Sequence, residues 1–214
     1  MASWMVHLRV ADKLLSHLDG IDETAFVVGN IAPDSGVPNS DWTSFDPPKS
    51  VSHFKAYPDP AGAFCAKYCN DEVKKSCSGR EHSFFLGYYT HLLTDAEWVN
   101  EIYRPLLRAH PEEAAEDRSA LVRAAKEDWY DLDFLYLEQH PDFRAFSIYE
   151  NTVDFDNTFM DIFPADAFED RRRYICAFYR SGEHGDLHRA YRYLTPERAG
   201  EFVERTAENV LKAI

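Results

Sequence analysis

One run limits the fold more than any other: Phe84-Phe85-Leu86-Gly87-Tyr88-Tyr89-Thr90-His91-Leu92-Leu93-Thr94-Asp95. Wound as a helix, it is apolar on almost every side, so it must be buried on almost every side. An ionised carboxylate inside such a helix is expensive unless something pairs with it. His91 and Asp95 are four apart and share one face. A fold that contains this helix must surround it with other elements and bring a counter-charge to Asp95. A His and an Asp so placed can also grip one cation.

Helical spacing continues on both sides. A first helix is expected over Trp4 to Leu18, with Ser3 as N-cap and His7, Ala11, Leu14 and Leu18 facing inward. A short apolar segment, Thr24 to Ile31, ends at Pro33. Pro33 to Pro48 is rich in Pro, Asp, Ser and Asn and reads as a long loop. Long loops in compact domains are often functional. A helix over Pro60 to Asn70 leads to the loop Ser76-Cys77-Ser78-Gly79. The central helix is expected from Glu81 to Arg108, with Phe84, Tyr88, His91, Asp95, Trp98 and Ile102 as its inner stripe. Further helices are expected over Pro111 to Gln139, Ala165 to Tyr179 and Pro196 to Leu211, with an aromatic loop or short helix at Phe155 to Phe163. The fold class is all-α: a multi-helix bundle with long loops, forming a single domain over residues 1–214, with a metal site between helices.

Composition excludes several functions. The net charge of −14 argues against nucleic acid and anionic lipid surfaces as non-specific partners. No apolar run approaches the ~18 residues of a transmembrane helix. The start, Met1-Ala2-Ser3-Trp4-Met5-Val6-His7, does not read as a secretory signal, which points to the cytoplasm. The four cysteines form no Cys-x-x-Cys. Cys65 and Cys69 share a helix face, but small residues in a reducing compartment are the plainer reading.

Other metal-ligating residue types join His91 and Asp95. They are His7 on the first helix, Asp34 after Gly29-Asn30-Ile31-Ala32-Pro33, and His53 in Val51-Ser52-His53-Phe54. Imidazole with carboxylate suits zinc, with iron or manganese as alternatives. Taken singly, each has a bland reading. A His on an apolar face is usually a satisfied core residue, and an Asp after Pro is usually a turn former. The remaining histidines, at 17, 82, 110, 140, 184 and 188, fall on opposite faces, helix ends or polar segments.

These pieces resemble the zinc-dependent phospholipase C family, with its related single-strand nucleases. The likeness rests on the helix with His7, the segment Gly29 to Asp34, His53-Phe54, and the Gly-x-x-x-His-x-x-x-Asp pattern from Gly87 to Asp95. It is confined to about residues 1–104. The resemblance implies an all-α fold and hydrolysis of a phosphate ester, a phosphodiester or phosphomonoester, by metal-activated water. It implies that Asp34, His53, His91 and Asp95 hold one zinc. His7 would help hold a second, with Asp95 bridging, so one or two zinc ions are expected. Asp34 would also be the catalytic residue, hydrogen-bonding the attacking water. A third ion in the family uses a histidine where Glu101 stands here, and then a His-x-x-x-Glu pair that this chain lacks. Glu127 and Asp131 have the spacing of carboxylate substitutes, although a solvated helix face is the plainer reading. Trp42 and Phe45 of the long loop would border the site. Lys55 and Arg80 are candidate cations for steering phosphate, with solvated surface as the plainer reading. The partner is a small-molecule phosphate ester. The rival from a different class is a helical binding or scaffold protein whose metal is structural, which would show a closed site with no open position.

Overall fold

The computed structural model describes residues 1–41 and 43–214; Trp42 lies outside the described residues. The helices are α1 (Trp4–Leu15), α2 (Glu23–Ile31), α3 (Lys49–Ser52), α4 (Pro60–Tyr68), α5 (Asp71–Ser76), α6 (Gly79–Trp98), α7 (Arg104–Ala109), α8 (Pro111–Gln139), α9 (Arg144–Asn151), α10 (Ala167–Arg180) and α11 (Pro196–Ala213). The architecture is all-α. The stretch read as a long loop holds a 3₁₀ turn, Ala32–Asp34, and a small antiparallel hairpin of β1 (Val37–Pro38) and β2 (Phe45–Asp46). No helix among the described residues is long and apolar enough to cross a membrane.

Helix α6 lies at the centre. Phe84, Tyr88, His91, Trp98 and Ile102 of its expected inner stripe are buried, and Asp95 is nearly so. α2 runs against it so closely that side chains are excluded at two points. A Cβ on Gly87 would stand 2.0 Å from the Phe26 carbonyl oxygen, and one on Gly29 would stand 2.1 Å from that of Phe84. Backbone meets backbone there because neither residue has a side chain to keep the helices apart. α1 packs on α2, α6 and α11, so the C-terminal helix closes over the first. Aromatic residues fill the other end of α6, where Phe84 meets Phe159 at 4.9 Å and Phe168 at 5.3 Å. Of the segment from Phe155 to Phe163, Phe155, Met160 and Phe163 are buried and Phe159 packs on Phe84 and Phe155.

Several expected boundaries move, for local physical reasons. α1 stops at Leu15 rather than Leu18, and the chain turns at Gly20 with φ +71°. α6 starts at Gly79 because the Ser78 hydroxyl caps the Glu81 N–H. The long central helix is not continuous to Arg108. It loosens into a π turn over Val99–Tyr103 before α7. Pro105 has no N–H to return to the Glu101 carbonyl and its ring crowds that oxygen, which favours such a turn. The oxygen is taken instead by the Arg198 guanidinium at 3.3 Å. Within α8, Asp117 leaves helical geometry, and its carboxylate caps the N–H groups of Ser119 and Ala120. α5 and α9 were not anticipated. Each is under nine residues, too short for helical spacing to stand out.

Candidate metal centre

Four separate elements carry polar side chains into one buried point. His7 comes from α1, Asp34 from the 3₁₀ turn after α2, His53 from the end of α3, and His91 and Asp95 from α6. Local sequence explains each placement. Pro33 tightens the turn that aims Asp34 inward. Phe54, at φ +53°, is in the left-handed region and turns the chain sharply after His53. The buried Tyr88 hydroxyl donates to the Ser52 carbonyl oxygen, tying α3 to α6 and fixing where His53 stands. Gly87 lets α2 approach, which brings the Asn30 carbonyl to within 2.8 Å of His91 Nδ1.

That last contact settles the His91 tautomer. A carbonyl only accepts, so Nδ1 carries the hydrogen and Nε2 presents a bare lone pair. Burial, and then the neighbouring His7, push His91 well below the usual histidine range, which keeps it neutral. Its Nε2 faces His53 Nε2 at 3.3 Å. His53 Nε2 is 3.5 Å from Asp34 Oδ1 and 3.8 Å from Asp95 Oδ2, and His91 Nε2 is 3.9 Å from Asp95 Oδ2. Zinc bonds of about 2.1 Å in a tetrahedron put donors about 3.4 Å apart, near these spacings.

Asp95 presents its two oxygens to different neighbours. Oδ2 faces His53 and His91. Oδ1 accepts from the Ala2 N–H at 2.9 Å and lies 3.5 Å from His7 Nε2. The His7 ring stacks on His91 at 3.7 Å, nearly parallel. Both His7 ring nitrogens are buried without a hydrogen-bond partner among the described residues. A buried imidazole left in that state is under-satisfied unless something else occupies its lone pair. Two triads among the described residues have metal-ligand spacing: His7, His91 and Asp95, and Asp34, His53 and His91. The donor set therefore fits a divalent ion of zinc type, with an orphaned imidazole and a doubly facing carboxylate.

The carboxylates are held ionised. Burial alone would raise Asp34, but Lys49 and His53 outweigh it and hold it well below the usual range. Lys49 Nζ sits 3.0 Å from Asp34 Oδ1. Burial would likewise raise Asp95, and His7 and His91 reverse it, so Asp95 is also depressed.

Glu101, Glu127 and Asp131 do not join this centre. Glu101 is claimed by Arg198 at 3.0 Å and by Arg205. Asp131 is claimed by Arg189 at 2.9 Å and by the Gly185 N–H. Glu127 is exposed on α8. None of the three belongs to either triad. Arg80 stacks over Phe155, 4.7 Å from the ring centroid, and does not line the cleft at Asp34. Burial pushes the Cys69 thiol up to about 12, which leaves it a packing residue rather than a thiolate ligand.

A cleft of about 370 Å³ reaches the centre at Asp34. Met1, Trp4, Lys49, Lys55, Tyr103, Lys126, Trp129 and Tyr130 are among its walls. Lys49 and Lys126 were missed in the sequence. A lone lysine between polar neighbours carries no signal of what it faces.

Fold and site together define a helical protein with a buried centre of imidazoles and carboxylates, open on one side. Residues 6–98 match the family model described as Zinc dependent phospholipase C. All five converging side chains lie within that stretch, while Glu101, Glu127 and Asp131 lie beyond it. The match agrees with the resemblance read from the sequence and associates this stretch with a family of zinc-dependent hydrolases. No curated protein and no solved structure matches the chain.

Proposed function

We propose that this protein is a zinc-dependent hydrolase of phosphate esters. The observation that carries the reading is the convergence of His7, Asp34, His53, His91 and Asp95 at a point reached by a cleft. Asp34, His53, His91 and Asp95 would hold one zinc. His7, with the second oxygen of Asp95, would hold another. Zinc, when bound, supplies Lewis-acid charge and lowers the pKa of water to about 7.

The chain's own groups do the rest. His91 is held as the tautomer with a free Nε2 by the Asn30 carbonyl. The depressed carboxylates stay anionic at neutral pH, so they need no deprotonation before use. Asp34 stands at the cleft floor, where its carboxylate accepts a hydrogen bond from the attacking water and orients it. The apolar walls of α2 and α6 keep bulk water from the histidines, and this strengthens every charge interaction inside. The cleft favours catalysis over a purely structural ion, because a structural site would be closed on all sides.

The test is hydrolysis of a panel of phosphomonoesters and phosphodiesters by zinc-loaded protein, with and without chelator, alongside Asp34→Asn. Turnover that needs metal and falls at least about a hundred-fold in the variant is expected. Absence of turnover on every ester, with zinc shown to be bound, overturns the reading.

A further inference from the structure

The chain has 37 acidic residues against 23 lysines and arginines. The cleft beside Asp34 inverts that balance. Asp34 is the one carboxylate among its described lining residues, against Lys49, Lys55 and Lys126. The three cations come from separate elements: α3, the turn after His53, and α8. Lys49 already holds Asp34. Lys55 and Lys126 are both exposed; Lys55 donates to the Met1 sulfur at 3.6 Å, and neither lysine makes a salt bridge among the described residues. In so acidic a protein, three lysines against one carboxylate around one concave place offer a seat for an anion.

We propose that this cleft is an anion-selective substrate subsite, in which Lys55 and Lys126 receive a second negatively charged group of the phosphate ester. The claim rests on the phosphoesterase reading and specifies its substrate class. The ester attacked at Asp34 carries a further anionic group on its leaving or retained side, such as a second phosphate. A cationic head group is disfavoured. Trp4 and Trp129 could stack on a quaternary ammonium, but three lysines against one already paired carboxylate repel it. Desolvation and then repulsion from Lys49 push the Lys126 ammonium below its usual range, as expected where cations crowd. The volume suits a phosphorylated head or a small soluble ester rather than whole lipid tails. The anion itself can come from a soluble ester or from a lipid head group.

The probes are pyrophosphate, phosphocholine, and vesicles of equimolar phosphatidylcholine and phosphatidic acid. Binding is read from the change in tryptophan fluorescence, to which Trp4 and Trp129 of the cleft contribute among the four tryptophans, on the protein as purified and after chelation, with zinc content measured separately. The chelated arm removes any effect of probes that sequester metal. Pyrophosphate is expected to bind more tightly than phosphocholine in both arms. Lys126→Gln should weaken it about ten-fold, the size of one charge-assisted hydrogen bond, and Lys126→Arg should restore it. Binding of the vesicles in place of pyrophosphate, with the same dependence on Lys126, supports the subsite and assigns a lipid source. Equal or tighter phosphocholine binding, an unaltered Lys126→Gln, or no binding of any probe overturns it. Lack of zinc with the lysine pattern intact would instead strike only the metal reading.

Discussion

Replacing Gly87 with alanine should destabilise the protein, although helix propensity alone predicts the reverse. An added Cβ would lie 2.0 Å from the Phe26 carbonyl oxygen, 2.8 Å from the Asn30 nitrogen and 2.9 Å from the Phe26 carbonyl carbon. Ordinary contact is about 3.5 Å, so α2 and α6 must separate by roughly 1.5 Å. The obstructing atoms are backbone, and no side-chain rotation can relieve them. Overpacking of this kind costs about 3 kcal/mol, the upper end of the usual range. Alanine returns about 1 kcal/mol of helix propensity. The net loss is therefore about 2 kcal/mol. Gly200 in α11 is the control, because a Cβ there meets nothing within 4 Å. Gly200→Ala should stabilise by up to about 1 kcal/mol. Urea unfolding followed by far-UV circular dichroism measures both. In Tm, Gly87→Ala should fall roughly 4–8 °C and Gly200→Ala should rise roughly 2–4 °C for a chain of this size. If Gly87→Ala matched Gly200→Ala in sign, the close approach that positions Asn30 against His91 would be wrong.

Three further outcomes follow from the same geometry. Burial raises Asp133 to about 7, while Ser3 and Tyr179 donate to it. A raised carboxyl contributes stability below its unfolded pKa near 4 and loses it as pH climbs through about 7. Asp133→Asn should thus improve relative to the native chain between pH 4 and pH 8, by up to about 4 kcal/mol in urea titrations; a pH-independent difference would refute this. Asp95→Asn should lower the stability of the chelated protein at neutral pH, because the depressed carboxylate contributes stability there that a neutral amide lacks, so each protein is compared with its own chelated form. The substitution should abolish the zinc-dependent rise in Tm, expected at roughly 5–10 °C when zinc is at about a hundred times its Kd. Tyr88→Phe strips the buried Ser52 carbonyl of its donor. It should cost about 1–2 kcal/mol and weaken zinc binding through His53, which calorimetry with zinc would detect.

The stripe on α6 was legible because 3.6-residue spacing marks a buried face whatever packs on it. His91 and Asp95 stood out by the expense of burying a carboxylate. His7, Asp34 and His53 carried little signal singly, and only their likeness to a known pattern joined them. Glu101, Glu127 and Asp131 had suitable spacing and still lie elsewhere. Glu127 is simply exposed on α8, whereas Glu101 is held by Arg198 and Arg205 and Asp131 by Arg189, which reach them from 58 to 104 residues away in the chain. Spacing along one helix cannot reveal such distant claims. The π turn was foreshadowed by Pro105, but the donor that stabilises it was not. Lys126 was hidden for a related reason: its neighbours in sequence are not its neighbours in the cleft.

The most direct measurement is anomalous scattering at the zinc absorption edge from crystals of the zinc-loaded protein. A peak bounded by Asp34, His53, His91 and Asp95 is the expected result, with His7 beside any second peak. An ion lodged elsewhere, or none among these side chains at saturating zinc, would contradict the account.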